Sequence, residues 1–161
     1  MELWDAYDRN CGRIDGVTLI RGEPVPEGLF HLVSEIIVRH LDGCYLIMQR
    51  DKRKHLGGMW EATAGGSALQ GENALDCAIR ELREETGIGA EDLVEIGRVV
   101  HDAHRTIYAE FLCVTNCDKD SVTLQPGETS AYRWITLDEL RSMPSYVLAT
   151  HRIQQFIPEL R

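Results

Sequence analysis

The sequence predicts one domain with a mixed α/β (α+β) sandwich fold. Apolar, β-branched runs of strand length alternate with turn residues along the chain. One clearly amphipathic helix and two shorter helical segments lie among them, with few β-α-β repeats. The 161 residues, of which 43% are hydrophobic, are enough for one domain with a substantial core. We therefore treat residues 1–161 as a single domain.

The N-terminal segment has the pattern of a β-hairpin. Residues 2–21 alternate polar and apolar side chains around a turn-rich centre at 8–12. Residues 22–28 contain two prolines and two glycines, which is typical of a stiff connection. The domain thus divides into a hairpin extension with its linker (1–28) and a core (29–161).

Several apolar side chains of this hairpin would be costly to leave in water, at roughly 25 cal/mol for each Å². We therefore expect it to pack on the domain rather than trail as a tail. It would cover either a sheet edge or a partner subunit, and the second arrangement would make the protein a homodimer.

The core contains the strands and helices expected of a mixed sheet. An Asp-Gly turn at 41–43 predicts a hairpin between its two neighbouring strands. Capping-box residues Thr136 and Glu139 begin a short helix, which Pro144 stops. The predicted strands are 31–40, 44–50, 59–64, 94–100, 105–115 and 131–135, and the last helix is 146–157.

The clearest element is a helix from Asn73 to Thr86. Asn73 can cap its start, and Gly87 can end it in a left-handed conformation. Apolar residues recur at helical spacing and form one stripe. The stripe consists of Ala74, Leu75, Ala78, Ile79 and Leu82.

Three glutamates crowd one side of this helix. Glu81, Glu84 and Glu85 stand at i, i+3 and i+4, in the C-terminal half where the helix dipole disfavours anions. A hard divalent cation would reverse this penalty, because Mg²⁺ prefers carboxylate oxygens. Arg80 can hold Glu84 across one turn. The alternative interpretation is a solvated charged face with ordinary salt bridges.

The surrounding spacing favours the metal site. Gly66 is followed after five residues by Glu72, and after seven more by Arg80-Glu81-Leu82, one residue, Glu84-Glu85, one residue, and Gly87-Ile88. This segment resembles the Nudix signature at every defined position. At average residue frequencies, a chance match has a probability on the order of 10⁻⁷.

The resemblance implies the Nudix fold, a mixed β-sheet between helices, with the signature as a loop-helix-loop. It also implies that Glu81, Glu84 and Glu85 bind Mg²⁺, with Mn²⁺ as an alternative, and that the Gly66 carbonyl adds a ligand. Glu72 and Arg80 would support the site. Members of the family hydrolyse small-molecule diphosphates, usually a nucleoside diphosphate linked to a further group, by attack of water at phosphorus.

Segments 3–8, 21–26 and 30–33 resemble the branch of the family related to isopentenyl-diphosphate isomerase. Those isomerases carry a Thr-Cys-Cys-Ser-His segment with a catalytic cysteine, at which this chain has Thr63-Ala64-Gly65-Gly66-Ser67. The cysteine position therefore falls on Ala64, and the metal-binding histidine is missing. Both departures favour hydrolysis. Isomerisation and a non-catalytic nucleotide-binding module remain the alternatives.

Further candidates lie outside the signature. Glu128 is a candidate base or extra ligand, and Glu61 and Glu110 stand in predicted strands that could face the metal. A basic loop could contact phosphate or be a solvated loop, and two histidines could line a cleft or form an ordinary turn. The basic residues are Arg50, Lys52, Arg53 and Lys54, and the histidines are His101 and His104.

Composition excludes several classes of partner. A formal net charge of −9 disfavours a surface for binding nucleic-acid polymers, which needs clustered Lys and Arg. No apolar run approaches the roughly 18 residues of a membrane span. The five cysteines are odd in number and form no Cys-x-x-Cys pair, as expected of free thiols in a reducing compartment. We therefore expect a cytoplasmic protein.

Overall fold

A computed structural model describes residues 1–89, 92–149 and 152–160. Strands and helices alternate within them in a mixed α+β arrangement. The strands are β1 (Leu3–Tyr7), β2 (Arg13–Ile20), β3 (His31–His40), β4 (Tyr45–Arg50), β5 (Trp60–Glu61), β6 (Ala64–Ser67), β7 (Leu93–His101), β8 (Thr106–Thr115) and β9 (Thr129–Ile135). The helices are α1 (Ala74–Thr86) and α2 (Leu137–Ser142), and single 3₁₀ turns occupy Lys119–Ser121, Arg152–Gln155 and Ile157–Glu159.

The main sheet is mixed, as the sequence predicted. Its strand order is β5-β4-β3-β8-β7, with β6 paired to β3 and β9 paired to β4. β3 and β8 run parallel from His31 opposite Thr106 to His40 opposite Thr115. The other pairs in this sheet are antiparallel.

The sheet lies between two apolar cores because side chains alternate across β3. Ile36 and Val38 face α1 and pack with Leu82. Ile37 points to the opposite face, where α2 and the C-terminal turns supply Leu140, Ile153, Ile157 and Leu160. This arrangement confirms the predicted sheet between helices. Among the described residues, no helix is both long and apolar enough to cross a membrane.

The predicted hairpin between β3 and β4 is only partly formed. The turn is present, since the His40 N–H donates to the Cys44 carbonyl at 2.8 Å, but the ladder has the single pair Arg39–Tyr45. β6 takes the place beside β3 instead, pairing Ala64–Ser67 with residues 33–36. This close approach depends on Gly65, because a Cβ there would lie 2.2 Å from the Ser34 carbonyl oxygen.

The predicted last helix, residues 146–157, is wrong. The Trp60 N–H donates to the Val147 carbonyl, and the Ala149 N–H donates to the Trp60 carbonyl, both at 2.9 Å. A parallel bridge between Leu148 and Trp60 thus satisfies the outer edge of β5, a tertiary contact that overrides local helix propensity. The remainder forms 3₁₀ turns, and residues 150 and 151 lie outside the described part of the chain.

The N-terminal hairpin packs on the core, as expected. β1 and β2 form a separate two-stranded sheet, joined to the core by a bridge between Tyr7 and Phe30. Trp4 is buried and stacks on His31 with ring centroids 4.3 Å apart.

A buried acidic pair lies under the C-terminal segment. Glu35 and Glu110 stand directly opposite each other on β3 and β8, on the face away from α1. Glu35 forms an ion pair with Arg152, whose guanidinium also lies 3.6 Å from the Tyr108 ring centroid. Glu110 is fully buried, and neither of its oxygens has a hydrogen-bond partner in the described residues. Burial, with the Glu35 carboxylate beside it, raises the pKa of Glu110 well above its usual range.

We expect Glu110→Gln to flatten the pH dependence of stability. Glu110 holds its proton in the folded protein at pH values where the unfolded chain releases it, so wild-type stability falls as pH rises through that window. The free energy of unfolding of the Gln variant should equal that of wild type at about pH 5 and exceed it at about pH 9. Urea unfolding at several pH values measures this. The exposed Glu27→Gln serves as control, and parallel curves for wild type and Glu110→Gln would contradict the expectation.

Candidate metal and diphosphate site

Helix α1 carries the three signature glutamates, and capping residues fix both ends of the helix. The Asn73 side chain accepts a hydrogen bond from the Asp76 N–H at 2.8 Å. Gly87 adopts the left-handed conformation at φ 76°, and its N–H donates to the Arg83 carbonyl. Both caps are those predicted from the sequence, and the helix bounds agree within one residue.

Arg80 is the centre of the acidic cluster. Its Nε and Nη2 donate to the two oxygens of Glu72 at 2.7 and 2.9 Å, and Nη2 also donates to the Ser67 carbonyl. Its Nη1 donates to Glu81 at 2.6 Å and to Glu84 at 3.3 Å. Arg80 lowers the pKa of Glu72 through these hydrogen bonds, and the pKa of Arg80 itself is raised. One guanidinium therefore offsets much of the repulsion that the sequence predicted.

Glu85 lies apart from this arginine. It accepts a hydrogen bond from the Gly65 N–H at 3.0 Å, and burial raises its pKa to about 8. Burial likewise raises the pKa of Glu81, whose side chain is 13% exposed. Desolvated carboxylates of this kind are stabilised by a nearby cation.

Gly66 forms the floor beneath Glu81. A Cβ at this position would lie 2.5 Å from the Glu81 carboxyl carbon, so any larger residue displaces that carboxylate. The Gly66 carbonyl accepts a hydrogen bond from the Cys77 thiol at 3.3 Å. The metal contact proposed for this carbonyl from the sequence stays a prediction.

These groups open into a cavity of about 390 Å³ that contains both signs of charge. The carboxylates belong to the three α1 glutamates and to three acids from other parts of the chain. Four basic side chains also line it. The acids are Glu2, Glu61, Glu81, Glu84, Glu85 and Glu128, and the bases are Arg21, Arg50, Lys54 and Arg80.

The donor set suits a hard divalent cation, because carboxylate and carbonyl oxygens are the ligands that Mg²⁺ prefers. In the ranges that the structure describes, no three acidic, thiol or imidazole side chains yet converge on one point as a metal cluster. Arg80 draws Glu81 and Glu84 to one side, while Gly65 holds Glu85.

Several candidates outside the signature reach the cavity. Arg50 forms an ion pair with Glu61, and Lys54 forms one with Glu128, so all four line the site in pairs. Arg53 instead bonds to Asp51 on the surface.

Other candidates lie elsewhere. His101 and His104 stack on each other near the turn between β7 and β8, with ring centroids 3.7 Å apart. Glu110 faces away from α1, so the expectation that it faces the metal is wrong. The reason is register, because even-numbered residues of β8 point to the face opposite α1.

The sequence did not indicate Glu2 or Arg21 as cavity residues. They lie near the two ends of the N-terminal hairpin and form an ion pair at 2.9 Å. Their position depends on how the hairpin docks against the core, for which no local sequence signal exists.

Comparison with known proteins agrees with this geometry. The family model of the NUDIX domain matches residues 30–159. An uncharacterized Nudix hydrolase of Listeria monocytogenes is 31% identical over 146 residues, 90% of this chain and 86% of that protein. The uncharacterized Nudix hydrolase YfcD of Escherichia coli K12 is 32% identical over 134 residues, 81% of this chain and 68% of that protein.

Solved structures share the fold at lower identity. DR0079 from Deinococcus radiodurans superposes with a TM-score of 0.78 over 99% of both chains, at 15% identity. The NUDIX domain of Shewanella oneidensis NrtR, solved with ADP ribose, gives a TM-score of 0.62 at 17% identity, over 78% of this chain and 83% of that one.

Proposed function

Because the chain belongs to the Nudix hydrolase family, we propose that it uses Mg²⁺ to hydrolyse the diphosphate linkage of a small nucleoside diphosphate or its conjugate, with Mn²⁺ as an alternative ion. The observation that carries this proposal is one cavity lined by Glu81, Glu84 and Glu85 together with four basic side chains. Carboxylates suit the metal, and the cations suit the phosphates.

The charges and size of the cavity support the proposed substrate class. Arg50 and Lys54 both line the cavity. The forked guanidinium of Arg50 and the flexible ammonium of Lys54 are donors that suit phosphate oxygens. A cavity of about 390 Å³ is at the lower end of small-molecule sites, which favours a nucleotide-sized ligand over a polymer. The related NUDIX domain that binds ADP ribose supports a nucleoside diphosphate linked to a further group.

Each residue of the cluster has a separate task in this proposal. Glu72 holds Arg80, and Arg80 sets the positions of Glu81 and Glu84. A bound Mg²⁺ would neutralise charge that develops on the phosphates and lower the pKa of an attacking water. A carboxylate then accepts the proton from that water. Glu81, Glu84 and Glu128 all line the cavity and remain candidates for this base.

A release assay tests the proposal. The protein is incubated with a panel of nucleoside diphosphates and nucleoside diphosphate conjugates, with Mg²⁺ or with a chelator. Inorganic phosphate is counted directly, and nucleoside monophosphate is counted by chromatography. We expect product with Mg²⁺ and none with chelator. Tight binding of a panel member without any product would instead support the non-catalytic alternative.

We expect no isomerisation of isopentenyl diphosphate. Ala64, at the position where the isomerases carry their cysteine, is buried in β6 and has no acidic or nucleophilic atom. The thiol of nearby Cys77 donates to the Gly66 carbonyl, and burial raises its pKa to about 11, so it is protonated and occupied. Proton NMR of the incubated substrate measures conversion, and an enzymatic rate of dimethylallyl diphosphate formation would overturn this expectation.

A further inference from the structure

The N-terminal hairpin forms hydrogen bonds with the loop that leads into α1. The Gln70 N–H donates to the Leu3 carbonyl at 2.9 Å, and the Gly71 N–H donates to Asp5 Oδ2 at 2.9 Å. The Gln70 side chain also donates to Thr18 Oγ1 at 3.0 Å. Three hydrogen bonds from both strands of the hairpin therefore converge on two adjacent loop residues.

Gln70 and Gly71 belong to a tight turn that ends at Glu72. The Glu72 N–H donates to the Leu69 carbonyl, and the Leu69 N–H donates back to Glu72 Oε2, both at 2.9 Å. The same Glu72 carboxylate accepts both hydrogen bonds that orient Arg80, which in turn contacts Glu81. These hydrogen bonds, together with the peptide link from Gly71 to Glu72, thus connect Asp5 to a candidate metal ligand.

An irregularity in the hairpin accompanies the contact between Asp5 and Gly71. The β1–β2 register shifts between Asp5 and Ala6, and such bulges redirect the neighbouring side chains. The Asp5 side chain is 14% exposed and points to the Gly71 N–H, with Arg13 3.8 Å away. Gly71 has φ 86°, a left-handed conformation that favours glycine and presents this N–H toward the hairpin.

We propose that Asp5 is a positioning residue of the active site, which holds the turn at Leu69–Glu72 so that Glu72 and Arg80 aim the α1 carboxylates at the metal. The hairpin lies outside residues 30–159, the part matched by the family model, so this support is an addition to the domain. The role of Asp5 in metal binding rests on the proposed function. The hydrogen bond between Asp5 and the turn does not depend on that function.

Two measurements on the full chain separate these parts. Amide hydrogen exchange of residues 69–72 in the metal-free protein reports the hold on the turn. The Mg²⁺ concentration that gives half of the maximal thermal stabilisation reports metal binding. The variants are Asp5→Ala, Asp5→Asn, which keeps a hydrogen-bond acceptor, and the control Asp15→Ala. Asp15 lies on the same hairpin with its side chain 90% exposed.

For Asp5→Ala we expect faster exchange at Gly71 and about a fivefold higher Mg²⁺ midpoint, below the 10- to 100-fold typical when a direct partner of a metal ligand is lost. Asp5→Asn should restore both values, and Asp15→Ala should leave both unchanged. If Asp5→Ala lowers the melting temperature but leaves the Mg²⁺ midpoint and the Gly71 exchange unchanged, Asp5 is merely structural and the proposal is wrong. Absence of any Mg²⁺ response in wild type would contradict the proposed function, while the exchange rates would still test the hold on the turn.

Discussion

Replacing Glu85 by Gln is expected to lower kcat by roughly 10³-fold, the upper range for loss of one group that stabilises a transition state. Glu85 is the most strongly desolvated of the three α1 glutamates, with a pKa raised to about 8 by burial. A buried carboxylate of this kind gains most from a cation, and Gln removes its charge without changing its shape. Steady-state product release at saturating Mg²⁺ measures the effect.

The Gln side chain can still accept the hydrogen bond from the Gly65 N–H, so the fold around β6 should persist. Far-UV circular dichroism checks this point. Asp76→Asn is the matched control, because Asp76 is an exposed acid on the same helix, away from the cavity lining. Near-normal turnover of Glu85→Gln, or an equal loss in Asp76→Asn, would place the metal elsewhere.

Replacing Gly66 by Ala is expected to lower kcat/KM by about 10²-fold, the scale at which small misplacements of catalytic groups reduce rates. The added methyl group would lie 2.5 Å from the Glu81 carboxyl carbon, closer than any normal contact. Glu81 must therefore move, and its hydrogen bond with Arg80 is lost or changed. The same assay as for Glu85, repeated over a range of Mg²⁺ concentrations, measures the effect.

Gly89→Ala controls for a general effect of replacing glycine, because a Cβ at Gly89 meets no atom within 4 Å. We expect this variant to keep wild-type activity. Should Gly66→Ala retain full activity with an unchanged Mg²⁺ requirement, the position of Glu81 above Gly66 would not matter for the reaction, and the proposed ligand set would need revision.

Local interactions explain what the sequence by itself determined. The bounds of α1 follow from the Asn73 cap and the left-handed Gly87, both of which act within one helical turn. The spacing of Glu81, Glu84 and Glu85 places them together on any regular helix. The β1–β2 hairpin likewise follows from alternation and turn residues within one short segment.

Only the tertiary structure decided which distant segments meet at the cavity. Arg21 lines it, and Asp5 contacts Gly71, because the hairpin docks on the loop before α1. The orientation of Glu110 depends on the register of β8 in the sheet, because a slip of one residue would move every side chain of the strand to the other face. The bridge between Leu148 and Trp60 depends on the open edge of β5. Such long-range pairing is governed by contacts between segments far apart in the chain, which no local pattern encodes.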